Sequence, residues 1–218
     1  MVGSGVTLIA IYLTHYFSEK RETRRIEEKR KEKAISQVYS PLVFILDETR
    51  RLFAKILATQ ETLKRVSNNK KEYQTAIFII NYLTAKHGEI HSKVLQDLLM
   101  HKSGLIEPKE FYFDLLMFQS YLSTLVSFLS ILISRSSEKV VQLRQYIASL
   151  GPLIKTLDEA ISEMRKYSIA KVGGKIVKYK RFFTEQKYSE VEKYIDEVSK
   201  VIAGKEMMDW RTLMKQLG

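Results

Sequence analysis

The chain has 218 residues, 45% apolar and 28% charged, which suits one globular domain with an appendage and excludes a disordered polymer. It has no cysteine, so disulfides, thiolate catalysis and Cys-ligated zinc or iron–sulfur centres are excluded. The net charge of +11 sits in two places: residues 18–33 carry eight basic and five acidic groups, and residues 164–184 carry seven basic groups and no acid.

With only three prolines and nine glycines, long uninterrupted helices are expected. Asparagine occurs only at Asn68, Asn69 and Asn81 while Lys, Arg and Glu abound, a thermophile-like composition.

Residues 2–17 carry no charge. Val6, Leu8, Ile9, Ile11, Leu13 and Phe17 give this stretch an apolar helical character and mark it as a candidate membrane anchor. It is shorter than the about 20 residues a spanning helix needs. The cationic flank predicts a single-pass topology with the bulk of the chain at the inner face of the cell membrane. The alternative is a buried N-terminal helix of a cytoplasmic protein. Gly3-Ser4-Gly5 could admit a close helix neighbour in lipid, or simply be a flexible start.

Thirteen of residues 18–33 are charged, and Ile26 is the only apolar one. The pairs Glu22/Arg25 and Glu27/Lys31 support a helix. No a/d seam exists, so a solvated stalk over 18–37 is expected rather than a coiled coil.

Ser40-Pro41 reads as a fresh helix start, with Ser as N-cap and Pro at the first helical position. Leu42, Ile45, Leu46, Thr49, Leu52, Phe53, Ile56 and Leu63 then fall on one stripe. Ser67-Asn68-Asn69 breaks it, and Asn69 with Glu72 forms a capping pair. Tyr73 to Lys86 is apolar nearly all round at 76–80 and is expected to be central. Gly88 interrupts. Ile90, Val94, Leu95, Leu98 and Leu99 make the next stripe, ended by Gly104.

Pro108 opens a helix whose residues 115–133 carry no charge. A second membrane span is one reading. The stripe Ser120, Ser123, Thr124, Ser127, Ser130 and Ser134 favours a core helix with one tightly packed or wet face. Val140, Leu143, Ile147 and Leu150 continue helically to a stop at Gly151-Pro152. Leu153, Leu157, Ile161 and Met164 form another stripe. Residues 168–180, with two β-prone arms around Gly173-Gly174, predict a small β-hairpin. Thr184 caps a helix bearing Tyr188, Val191, Ile195, Val198 and Ile202, ended by Gly204. Met207, Trp210, Leu213, Met214 and Leu217 form a last short helix.

The expected fold is therefore all-α. It is an antiparallel bundle of six to seven helices over 38–218, with an N-terminal helical extension (anchor 1–17, stalk 18–37) and one small β-hairpin.

The basic segment is the main candidate site. Arg165, Lys166, Lys171, Lys175, Lys178, Tyr179, Lys180 and Arg181 interleave cations with aromatic and aliphatic residues. Cations on a protruding ribbon attract phosphates, and aromatics can stack on bases or sit at a lipid interface. Anionic lipid, nucleic acid or an acidic protein could take it, and a merely solvated hairpin is the plain reading. His87 and His91, four apart, could share a metal, but Gly88 separates them and Glu89 is at the wrong offset for a zinc-protease helix. No metal or cofactor is expected. The acidic pairs Asp47-Glu48, Asp158-Glu159 with Glu163, and Asp196-Glu197 lie on polar helix sides. No phosphate-binding loop, dinucleotide fingerprint or nucleophile elbow is present, so an enzyme is not expected unless its residues converge from distant helices.

Ile9 to Phe17, the charged 18–33 and Val38-Tyr39-Ser40-Pro41-Leu42 together resemble a class of prokaryotic proteins, frequent on prophages and plasmids. Its members join one N-terminal span, an Arg/Lys/Glu-rich stalk and a Y-x-P-L start to a helical domain. The resemblance covers about 45 residues and implies a membrane-tethered helical domain, carrying over no site residues. The expected function is a non-enzymatic, membrane-tethered interaction or scaffold domain of a mobile element. The alternative is a soluble nucleic-acid-binding protein using 164–184, and the third is an enzyme with an unrecognised site.

Overall fold

A computed structural model describes residues 3–65, 74–75, 78–79, 82, 87–134 and 140–203, with side chains from His15 onward except 60, 62–65, 132–134, 140–145 and 147. The protein is all-α. Among the described residues the α-helices are α1 (Gly3–Ala34), α2 (Ser40–Arg65), α3 (Glu89–Lys102), α4 (Lys109–Ser134), α5 (Val140–Val172) and α6 (Glu185–Ala203), and no strand occurs. The expected last helix and the Asn69/Glu72 cap lie outside the described residues.

Ser40-Pro41 does not restart the chain. A π-helical turn, Ile35–Tyr39, joins α1 to α2, and the Ser40 N–H donates to the Ile35 carbonyl. Pro41 has no N–H to return to residue 37, and the wider turn just before it lets the helix pass through. Gly151-Pro152 does not stop the chain either, since Pro152 lies inside α5. Its neighbours Leu150, Leu153, Ile154 and Leu157 are fully buried, and their packing outweighs one proline's penalty. With both breaks bridged, the described residues form five rods rather than the expected six to seven helices.

The core lies where α5 meets α2, α4 and α6. Leu42, Ile45, Leu46, Thr49, Leu52, Phe53 and Ile56 of α2 are buried. Leu153, Leu157, Ile161 and Met164 of α5 are at 0% exposure, as are Val191 and Val198 of α6. Here the 3.6-residue periodicity marks the buried face, except that Tyr188, expected on the α6 stripe, is exposed one turn before the packed Val191. Asp47 pairs with Arg165, and Arg50 with Asp158 at 3.1 Å, so α2 and α5 run antiparallel. Several carboxylates expected on solvated faces instead tie helices together at these seams; Glu159 likewise meets Lys187 of α6 at 3.2 Å.

Helix α4 turns Leu115, Phe118, Leu122, Leu125, Phe128 and Leu129 into the core. It remains long and apolar enough to cross a membrane by length and composition, with half of that stretch buried inside the protein. From Ser120 to Ser130 its serine stripe faces outward, with Thr124, Ser127 and Ser130 each donating to the carbonyl four residues back.

Three local expectations shift. Phe78 and Ile79, expected to be central, are exposed. The buried face of α3 runs through His91, Leu95, Leu98 and Leu99, leaving Ile90 and Val94 outside. Gly88 does not interrupt but continues helically, and an added Cβ there would come within 2.9 Å of Val126 Cγ2, so the position has little room for a side chain. It is a close-approach glycine between helices.

Candidate functional site

The basic segment begins on the last two turns of α5 and folds back. The β-hairpin expected there is absent. Gly174, at φ +71°, ends the helix: the Gly174 N–H donates to the Lys171 carbonyl and the Lys175 N–H to the Ala170 carbonyl. This is a helix stop made by a left-handed glycine, not a two-residue hairpin turn. Residues 175–184 then descend along α5 as irregular extended chain until Thr184 caps α6, its Oγ1 accepting from the Lys187 N–H.

Asp114 of α4 holds that descent. It is fully buried and accepts from the Tyr179 hydroxyl at 2.7 Å and from the Phe182 and Phe183 N–H groups at 2.5 and 3.2 Å. The Arg181 guanidinium lies 4.0 Å away and stacks over Phe113 at 3.9 Å. Burial and the bond to Asp114 push the Tyr179 phenol well above its ordinary pKa. Three donors on one buried carboxylate make this loop a fixed part of the body. Sequence reasoning missed Asp114. The only available signal was a lone acid opening an otherwise uncharged stretch.

The eight sequence-predicted residues therefore divide. Lys175, Lys178, Lys180 and Arg181 are exposed. Arg165 is committed to Asp47, and Lys166 to Glu163 at 2.6 Å. Lys171 packs its ammonium over the Tyr167 ring at 5.4 Å. Tyr179 is buried, which corrects its placement on a binding surface. Phe183 is buried too.

Tyr179 belongs to an aromatic cluster with Tyr39, Phe111 and Tyr167, at ring separations from 4.7 to 6.2 Å. The Tyr39 and Tyr167 hydroxyls both donate to the Glu107 carbonyl at 2.8 Å. Burial raises both phenols above their usual pKa; at Tyr167 the Tyr39 hydroxyl and the Glu107 charge add to it, whereas at Tyr39 the backbone hydrogen bond with Glu107 works against it. They are locked as neutral donors, which makes them poor proton acceptors.

Glu107 also reaches the stalk. Its carboxylate meets Arg30 at 3.0 Å, and Arg30 donates to the Gly104 carbonyl at 3.1 Å. Around this contact lies a groove of about 450 Å³ lined by Glu27, Arg30 and Lys31 of α1, Glu107, and Lys171, Lys175 and Ile176 beside the α5 stop. Cations outnumber carboxylates four to two among those charged residues. The groove suits anions and offers no nucleophile–base pair.

Every described side chain from His15 to Lys33 is exposed. Of the anchor candidates, Phe17 is exposed, while Val6, Leu8, Ile9, Ile11 and Leu13 lie on helical backbone with side chains outside the described set.

The paired histidines are placed apart in role. The His91 ring is buried, with Nδ1 3.1 Å from Thr49 Oγ1, which itself donates to the Ile45 carbonyl. His91 must therefore donate from Nδ1, and burial lowers its pKa. Among the described residues no three His, Asp or Glu side chains group as metal ligands.

The site and fold define an all-helical protein with an exposed, charged N-terminal helix and a cationic groove between that helix and the body. Comparison with protein families, with curated proteins and with solved structures gives no match in any of the three.

Proposed function

We propose that this chain is a non-enzymatic, membrane-tethered helical domain, held at the inner face of the cell membrane by residues 6–17. Helix α1 is its spacer. One observation carries the reading: an uncharged run continues, in the same helix, into residues 15–33 that are exposed at every described side chain. A stretch of helix that is charged all round and exposed over residues 15–33 contributes no core. Its use is distance and orientation. The body then serves as an interaction or scaffold domain, consistent with the mobile-element class that residues 9–42 resemble.

The nucleic-acid alternative is weakened by the burial of Tyr179 and Phe183, which leaves phosphate attraction without a stacking platform. An unrecognised enzyme finds no support in the groove's chemistry.

Fractionation tests the reading. Full-length protein is expected in the membrane fraction, released by detergent and not by salt or carbonate. Replacing Leu8, Ile9 and Ile11 with Asp is expected to move it to the soluble fraction. Equal partition of the two proteins, both soluble without detergent, overturns the proposal.

A further inference from the structure

The cationic groove and the stalk occupy the same pole of the molecule, and this has a consequence for what the basic segment contacts. Because α2 and α5 run antiparallel, the C-terminus of α5 climbs toward the stalk. Lys175 and Ile176 line the groove together with Glu27, Arg30 and Lys31, so the Gly173-Gly174 turn rises to the level of residues 27–31 on α1. From Glu27 to Phe17, the end of the uncharged run, is ten residues of continuous helix, about 15 Å.

The turn's surface has a particular chemistry. Ile176 is 101% exposed, a whole aliphatic side chain offered to solvent. Lys175 and Lys178 flank it, and Ile169 and Val172 are also exposed on the last turns of α5. Lys31, Lys171 and Lys175 make no ion pair among the described residues. An apolar tip ringed by unpaired lysines fits the boundary between phospholipid headgroups and acyl chains, where stems bury and ammonium groups meet phosphate.

We propose that the turn Lys171-Val172-Gly173-Gly174-Lys175-Ile176 is a second membrane contact that docks on anionic phospholipid. The inference rests on the tethered reading above, and it names the ligand of the basic segment. A gap of about 15 Å is roughly two Debye lengths at physiological ionic strength, so an upright stalk leaves the turn only weakly attracted. Tilting the stalk shortens the gap, and its described polar contact with the body is the exposed Arg30 clamp to Glu107 and Gly104. The docked state is therefore a tilted one, favoured by negative surface charge and opposed by salt. Duplex or single-stranded nucleic acid would meet the same cations but would gain nothing from Ile176.

The absence of cysteine makes the test direct. Ile176→Cys in the full-length chain, labelled with an environment-sensitive fluorophore, is reconstituted into vesicles of phosphatidylcholine alone and into vesicles with added phosphatidylglycerol. Phe17→Cys, labelled alike, reports the tether. The expected result is a blue-shifted, brightened label at 176 only in anionic vesicles, reversed by high salt, with the label at 17 in the bilayer in both. Each Lys→Gln change at 171, 175 or 178 is expected to lower the docked-to-free ratio up to about fivefold. If the label at 17 reports bilayer and the label at 176 stays in water in anionic vesicles, the second contact is wrong and the tether stands. If both labels stay in water, the tether itself fails, and the second contact with it. A label at 176 that responds to duplex DNA at matched phosphate and not to anionic vesicles overturns the proposal in favour of nucleic acid.

Discussion

Helices α1 and α5 are nearly the same length, 32 and 33 residues, and hold their shape for opposite reasons. Between His15 and Lys33 every side chain of α1 is exposed, and the chain relies on helix-favouring Lys, Arg and Glu. Helix α5 buries Leu150, Leu153, Ile154, Leu157, Ala160, Ile161 and Met164 completely, and with that support it carries Gly151 and Pro152 inside a continuous rod. The lesson is that a strong breaker is decisive only where nothing else holds the chain. In α5, tertiary contacts on both sides of Pro152 make the helix cheaper than a break.

The sharpest way to break that contrast is to put the same charge in each helix. Leu157→Asp is expected to destabilise the protein by about 3 kcal/mol or more, because it leaves an unpaired carboxylate in the core. Ile26→Asp in α1 is expected to stay within about 0.5 kcal/mol, because nothing covers that position. Urea unfolding followed by circular dichroism separates the two. Equal effects would mean that α1 packs on the body or that α5 does not.

A second change tests what fixes the end of α5. Asp114→Ala leaves the Tyr179 hydroxyl and two N–H groups without their acceptor, at an expected cost of about 2–3 kcal/mol. Amide exchange should rise at Phe182 and Phe183 while α2 stays protected. Unchanged exchange there would show that the loop is held by its aromatic side chains alone.

A smaller effect than either core change should come from the breaker itself. Pro152→Ala restores a backbone donor at an exposed position and is expected to stabilise by about 1 kcal/mol, less than the full proline penalty because the proline also restrains the unfolded chain. A loss of stability would mean that Pro152 shapes α5 to fit its neighbours.

Much of the helical core was legible in advance, and the reason is specific. The stripes on α2, α5 and α6 repeat every 3.6 residues over three or more turns, and such a repeat has only one face to bury. The exposure of residues 18–33 was legible for the converse reason, since thirteen charges in sixteen residues cannot be buried. The hairpin at 168–180 was misread because β-prone residues beside Gly-Gly describe a helix stop followed by extended chain equally well. The acceptor that holds the extended chain in place, Asp114, lies 65 residues from Tyr179.

By itself, then, the sequence determined the helical class, most of the buried faces of its most regular helices, the exposed charged helix over residues 18–33 and the position of the basic segment. These are properties of local composition and periodicity, which short-range chemistry sets. The tertiary structure decided that the helix runs through Pro41 and Pro152, that Gly88 sits against Val126, that Tyr179 belongs to the core and that the α5 stop rises beside the stalk. Each of these depends on a partner far away in the chain, and no local pattern encodes which distant partner arrives.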